Sequence, residues 1–323
     1  MKKILPISGT WFDFFHCNPY EGDYWNATTS LFSSRDWEKK IGEMARAGMD
    51  SFLLLSVALH GKSFYPSQVI KQQWNLDCHD PIEAVLTASD RLNAKLYMGL
   101  GFFTTPAFHD FSDNSASGLR TAVAEELVAR YGTHPSFAGW YLPVEAGIQG
   151  HYPDGYISYV NKLTDQCKRL GPHQVIIAPY GARSIVFDEQ FTDEVRAIDA
   201  DFIAYQDEIG VARTTFEQVD ETFRRLREVH DRVGKPLWAD MEIFQFQGKV
   251  LIPAPFERVR RQLEILSAHV EKILCYQYLG MMNEPGSPVH AGHETSVQLY
   301  QDYRNYSIEN KLCDCIKNAG TMI

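Results

Sequence analysis

The sequence predicts a single closed (β/α)8 TIM barrel, an α/β architecture, and three observations carry that prediction. Eight short apolar runs are each followed by a loop and an amphipathic helical segment, so strands and helices alternate along the chain. Such alternation requires parallel strands joined by helical crossovers, and eight units within 323 residues are what a closed barrel needs. A doubly wound open sheet would carry a Gly-rich turn after the first strand, and Gly9-Thr10-Trp11-Phe12 is not one.

Taken in order, the first run covers 5–14 and leads to a helix over 35–47, where Ile41, Met44 and Ala45 recur at helical spacing. The second run, 52–59, precedes a helix over 81–92, and the third, 95–103, precedes one over 119–131. The fourth, 137–144, leads to a helix over 156–170, and the fifth, 174–180, to a short one over 193–197. The sixth, 202–206, is followed by 216–233, whose Phe216, Val219, Phe223 and Leu226 share a face. Runs 236–243 and 273–279 alternate with helices over 256–270 and 295–307. No repeat, low-complexity linker or composition shift marks a second domain, which gives a barrel over 1–310 and a tail over 311–323.

Composition excludes several classes of function. Hydrophobic residues at 45% and aromatics at 13% supply a sizeable core, against disorder or a coiled coil. A net charge of -10, without a compensating basic run, repels phosphate backbones and anionic lipid, so neither nucleic acid nor a membrane is expected as partner. The N-terminal apolar stretch is broken by Pro6, Ser8 and Asp13, and nothing approaches the ~18 apolar residues of a membrane span. The expected location is therefore cytoplasmic as the sequence stands, although a chain stripped of its signal would read the same. The six cysteines lack ligand-like spacing apart from Cys313-Asp314-Cys315 and are expected as free thiols. The sequon Asn26-Ala27-Thr28 is short enough to arise by chance. Oligomeric state has no readable signal.

In a (β/α)8 barrel chemistry sits at the C-terminal ends of the strands, so acids closing apolar runs are the first candidates. Alternation along the fourth strand puts Gly139, Tyr141, Pro143 and Glu145 on one face and Ala138, Trp140, Leu142 and Val144 on the helix face. The seventh strand points Trp238, Asp240 and Glu242 inward in the same way. On the sixth, Asp207 and Glu208 cannot both face inward, and either could be a third acid. Trp11, Asp13 and His16 come from strand one, His60 from strand two, Tyr180 and Arg183 from strand five, and Tyr276 and Gln277 from strand eight. His109 and Asp110 lie in the loop after strand three.

An acidic and aromatic mouth fits a sugar. Glycosidic hydrolysis needs one carboxylic acid to protonate the leaving oxygen and a second carboxylate to attack the sugar or activate water. Aromatic faces such as Trp11, Tyr141, Trp238 and Tyr276 stack on the C–H faces of pyranose rings, although Tyr141 and Trp238 could equally fill the barrel interior. In this reading Glu145 is the general acid/base and Glu242 the nucleophile, kept ionised by donors such as Arg183, Tyr180 or Tyr276. Asp207 or Glu208 is the alternative partner of Glu145, and Asp240 orients its neighbours. Retention is expected, with inversion if the partner comes from strand six.

The layout of Glu145 after strand four and Glu242 after strand seven resembles the acid pair of the large retaining glycoside hydrolase clan. More closely, Gly101-Phe102-Phe103, the stretch from Gly139 through Trp140-Tyr141-Leu142-Pro143-Val144 to Glu145, and Tyr205-Gln206-Asp207 resemble the family named domain of unknown function 4434. That resemblance implies a glycoside-hydrolase-like barrel over most of residues 1 to 310 and supplies no substrate. The clan places Asn before the strand-four acid, whereas this chain has Val144. Asn283-Glu284-Pro285 follows strand eight and reads as a chance match.

Two other functions compete. A non-catalytic carbohydrate-binding barrel would use the same aromatic mouth. A metal-dependent hydrolase would gather His and Asp at strand ends, but strand one lacks His-X-His and no His-Glu-X-X-His occurs. No Gly-rich phosphate loop follows strands seven and eight, so no cofactor or metal is expected.

Overall fold

The computed structural model describes residues 3–101 and 117–312. Eight parallel strands close into a barrel: β1 Ile7–Phe12, β2 Ser51–Leu54, β3 Lys95–Gly99, β4 Phe137–Leu142, β5 Gln174–Ile177, β6 Phe202–Gln206, β7 Leu237–Glu242 and β8 Lys272–Tyr276. Closure comes from β1, which pairs β2 on one side and β8 on the other with Thr10 opposite Cys275. The helices that follow the strands are α1 Ser34–Arg46, α2 Pro81–Arg91, α3 Ser117–Tyr131, α4 Tyr156–Arg169, α5 Glu189–Ala197, α6 Phe216–Val233, α7 Phe256–Leu266 and α8 Ser296–Glu309, with single helical turns at Asn26–Thr29 and Ala182–Ser184 in the loops. This is the predicted fold.

Local chemistry sets the helix ends. Ser33 and Asp36 form a reciprocal capping box that starts α1. Asp80 caps α2, with Pro81 at the first helical position. Thr215 and Gln218 box the start of α6, and Gly234 ends it at φ 70°, a left-handed conformation that favours glycine.

Two packed layers result. One apolar cluster joins the outer strand faces to the helices and includes Trp140, which meets the edge of Phe137. A second fills the barrel with Trp11, Leu53, Tyr97, Tyr141, Ile176, Ala178, Ala204, Trp238 and Leu274. Gly139 lets β4 approach β5 closely, since a Cβ there would lie 1.9 Å from the Gln174 carbonyl oxygen.

Two insertions depart from the expected strands. The run 52–59 divides: β2 ends at Leu54, and Ala58–Leu59 joins Lys62–Ser63 and Gln72–Gln73 in a small separate sheet. After β7, Phe244–Gln247 and Val250–Pro253 form an antiparallel hairpin turning at Gly248, φ 63°. Phe102, Phe103, His109, Asp110, Cys313, Cys315 and the tail beyond Leu312 lie outside the described residues. Cys17, Cys78, Cys167 and Cys275 are free thiols. Among the described residues no helix is long and apolar enough to cross a membrane.

Candidate active site

The acids are built onto strand ends. Three residues beyond β4, Glu145 is accessible to solvent, yet enough protein surrounds it that desolvation raises its carboxyl to about 7, opposed by a hydrogen bond from the Gln206 side chain. Below Glu145 on the same strand, Tyr141 is buried and meets Trp11 edge-on at 5.6 Å between ring centroids. Burial, followed by the charges of Glu145 and Asp240, holds the Tyr141 hydroxyl protonated.

From β7 come Asp240 and Glu242, 3% and 4% exposed. Glu242 Oε2 accepts the Val211 N–H at 2.8 Å and lies beneath Gly210. Burial, then the neighbouring charge of Asp207, raises Glu242 to about 8, with Glu208 adding to the rise. Asp240 is pushed well above the carboxylate range by burial and then by Glu242, Glu145 and Asp207, and its Oδ1 has no hydrogen-bond partner. Asp240 therefore stands within electrostatic reach of both Glu145 and Glu242. Carboxyls this crowded share protons instead of ionising independently.

This differs from the expectation that Glu242 is kept ionised by Arg183, Tyr180 or Tyr276. Arg183 lies 3.7 Å from Glu208 and donates to the Arg213 carbonyl. The Tyr180 ring crosses Gly147, with its hydroxyl 2.7 Å from where a Cβ would stand, and Arg213 covers that ring. The carboxyl of Glu242 is held by backbone N–H groups instead.

The β6 residues separate by face. Phe202 and Ala204 pack inside the barrel, so alternation turns Gln206 inward to Glu145. Asp207 faces α7, where Gln262 donates to its Oδ2 at 2.6 Å, while the Glu242 and Ile209 N–H groups reach its Oδ1 at 3.2 Å. Glu208, at φ 54°, accepts the Gly181 N–H at 2.9 Å and faces Arg183 and Arg213. Both acids brace the strand ends, and Asp207 is turned away from the mouth.

On the β1 side, buried His16 places Nδ1 3.0 Å from Asp13 and Nε2 3.0 Å from Glu21. A neutral imidazole could donate to only one carboxylate, so both nitrogens carry protons. Burial lowers the His16 pKa, but the two carboxylates outweigh it and raise the value to about 9. The Tyr276 hydroxyl lies 3.3 Å from His16 Nδ1, and burial followed by the charges of Asp13, Cys17, Glu21 and Glu145 keeps it protonated. Gln277 is 1% exposed with neither amide atom paired.

Two expected aromatic and imidazole contacts lie elsewhere. Trp238 points into the barrel but at its floor, opposite Lys272 in register, stacked on Phe202 at 3.9 Å and four residues below Glu242. His60 occupies the exposed turn of the Ala58–Leu59/Lys62–Ser63 hairpin. Conversely, Gln206 and Glu21 carry contacts that the sequence reading did not assign. Alternation from Phe202 and Ala204 would have exposed Gln206, whereas Glu21 sits in a loop with no periodic signal. Among the described residues no three His, Cys, Asp or Glu side chains are grouped to hold a metal.

Comparison with known proteins follows the same outline. A "putative alpha-L-fucosidase" from Bacteroides thetaiotaomicron is similar over 94% of this chain and 94% of its own, with TM-score 0.75 and 21% identity. A GH99 endo-alpha-mannosidase from the same species matches over 94% and 97% of the two chains, with TM-score 0.54 and 11% identity. A glycoside hydrolase family 5 protein from Bacteroides vulgatus matches over 95% and 67%, with TM-score 0.54 and 12% identity. At these identities the likeness is one of fold, a TIM barrel shared with glycoside hydrolases. No curated protein sequence matches. The model of the family described as "Domain of unknown function (DUF4434)" matches residues 7–289, from the first barrel strand to beyond the last, and the chain belongs to that family.

Proposed function

We propose that the protein hydrolyses glycosidic bonds, with carbohydrate as its partner and Glu145 as the group that moves the proton. The observation that carries this reading is the Glu145 carboxyl itself: reachable from solvent, yet desolvated enough to hold a proton near neutral pH. Around it stand what a pyranose needs, the partly accessible Tyr276 and, on β7, a second carboxyl.

In the proposed reaction Glu145 protonates the leaving oxygen while Glu242 attacks the sugar carbon, and Glu145 then takes a proton from water that releases the sugar. The outcome is retention. Glu242 must be ionised to attack, yet its crowded setting favours the protonated form, so the productive arrangement is a minority form in the resting protein. Positive charge developing on the sugar favours the anion and draws Glu242 into use. Asp240, held neutral by burial and by its acidic neighbours, adds no third negative charge to the site.

The test is a panel of aryl glycosides and polysaccharides against the wild type, Glu145→Gln and Glu242→Gln. The wild type should cleave at least one member, and both variants should keep the fold while losing turnover. Sugar binding without turnover in the wild type would replace this reading with that of a carbohydrate-binding barrel. Full activity of Glu242→Gln would refute the role given to that residue.

A further inference from the structure

Exposed aromatic side chains are unevenly distributed. Among the described residues they are Tyr20, Tyr24 and Phe246, at 65%, 39% and 44% exposure. Single exposed apolar residues need no explanation, but these three lie on two segments, the loop after β1 and the hairpin after β7. Both segments follow the C-terminal ends of strands flanking β8, the same side of the barrel as Glu145 and Tyr276.

The two segments form one surface. Leu251 N–H donates to the Glu21 carbonyl at 3.2 Å, and the Lys249 amine lies 5.2 Å from the Tyr20 ring centroid. Asn18 fixes the loop by accepting the Tyr20 N–H at 3.1 Å and donating to Glu21 at 2.9 Å. The surface is also continuous with the mouth: the Phe244 ring meets Tyr276 at 5.9 Å and Phe246 at 5.8 Å, both edge-on. Aromatic rings thus lead from the mouth to the hairpin tip. Their exposed neighbours include Pro19 and the polar Asp23, Gln247 and Lys249, whereas a protein-binding patch would surround its aromatics with a larger dry apolar core. Isolated aromatic faces among polar groups suit a ligand that is itself apolar on its ring faces and hydroxylated at its edges.

We infer that the rim over β7, β8 and β1 is a glycan-binding track, with Tyr20 and Phe246 as stacking platforms for sugars beyond the cleaved bond. The substrate class is then an oligo- or polysaccharide rather than a small glycoside. The inference rests on the glycoside hydrolase reading above and extends it from the bond broken to the length of chain bound.

The experiment compares the wild type, a Tyr20→Ala/Phe246→Ala double variant and Glu145→Gln. One arm measures kcat/KM on 4-nitrophenyl mono-, di- and trisaccharides of the sugar the wild type cleaves. The other is electrophoresis through gels containing soluble xylan, mannan, laminarin or pullulan. In the wild type each added sugar should raise kcat/KM roughly two- to tenfold, the worth of one aromatic contact. In the double variant the trisaccharide-to-monosaccharide ratio should fall toward one. Glu145→Gln should still be retarded by a polysaccharide that no longer retards the double variant. Absence of length dependence, or its survival in the double variant with an unchanged melting temperature, overturns the track. If the wild type cleaves nothing, the hydrolase reading fails. Polysaccharide retardation abolished in the double variant then still supports the track, and no retardation overturns both.

Discussion

The two carboxyls at about 7 and about 8 make a specific prediction for the pH dependence of kcat/KM. Turnover requires Glu145 protonated and Glu242 ionised, so the profile should be a bell rising through about 7, falling through about 8 and peaking midway. Because Glu242 holds its proton more tightly than Glu145, only a minority of molecules are productive even at the peak. Glu145→Gln separates the two roles. On a natural glycoside it should lose about 10²- to 10⁴-fold, the usual contribution of general acid catalysis. On a 2,4-dinitrophenyl glycoside, whose leaving group needs no proton, it should lose far less. Its residual rate should climb through about 8 and stay high in alkali, because only Glu242 still titrates. The assay is initial rate against pH at constant ionic strength. A wild-type profile whose rising limb is complete by about pH 5 would show Glu145 to be a solvated surface acid, and residual activity that falls in alkali would exchange the two roles.

Further predictions concern the frame around the site. His16 has its folded pKa raised from 6.5 to about 9, so its stabilisation is fully present below the unfolded value and is lost as pH rises through about 9. Urea unfolding of the wild type should therefore lose about 3 kcal/mol more across that window than His16→Gln does, and equal losses would refute the imidazolium. At Gly210 a Cβ would lie 2.7 Å from the Phe244 carbonyl oxygen and 2.9 Å from Glu242 Oε2, so Gly210→Ala should displace the loop over Glu242. The expected cost is about 1 to 3 kcal/mol with a disproportionate fall in kcat, and thermal melts with kinetics would detect both. Trp238→Ala should destabilise by about 3 to 5 kcal/mol as a floor cavity opens, and a rise in KM at unchanged stability would restore Trp238 to the substrate site.

The barrel is legible because its signal is periodic: each strand supplies an apolar run and each helix an amphipathic face. The small sheet after β2 is not, since strands of two residues such as Ala58–Leu59 are too short to show alternation. The hairpin after β7 was within reach, for Phe244 and Phe246 alternate before a Gly248-Lys249 turn. Alternation also finds a face without finding a height. It turns Trp238 inward correctly, but a residue at the start of β7 lies ~13 Å below Glu242 at its end and fills the floor. Beyond a strand's last residue alternation lapses, which is why His60 falls in an exposed turn.

Protonation is a different kind of property, because it depends on which strands are neighbours around the circle. Nothing local distinguishes the carboxyl of Glu145 from that of Glu242. The strand order places β6 beside β7, where Asp207 and Glu208 add their charges to the burial of Glu242, while Gln206 from the same strand end reaches Glu145 and partly offsets its desolvation. A single strand end thus pushes the two pKa values apart: its charged residues make Glu242 the tighter proton holder, and its amide keeps Glu145 nearer neutrality. Replacing Gln206 with Leu should for that reason raise Glu145 and move the rising limb of the pH profile toward alkali.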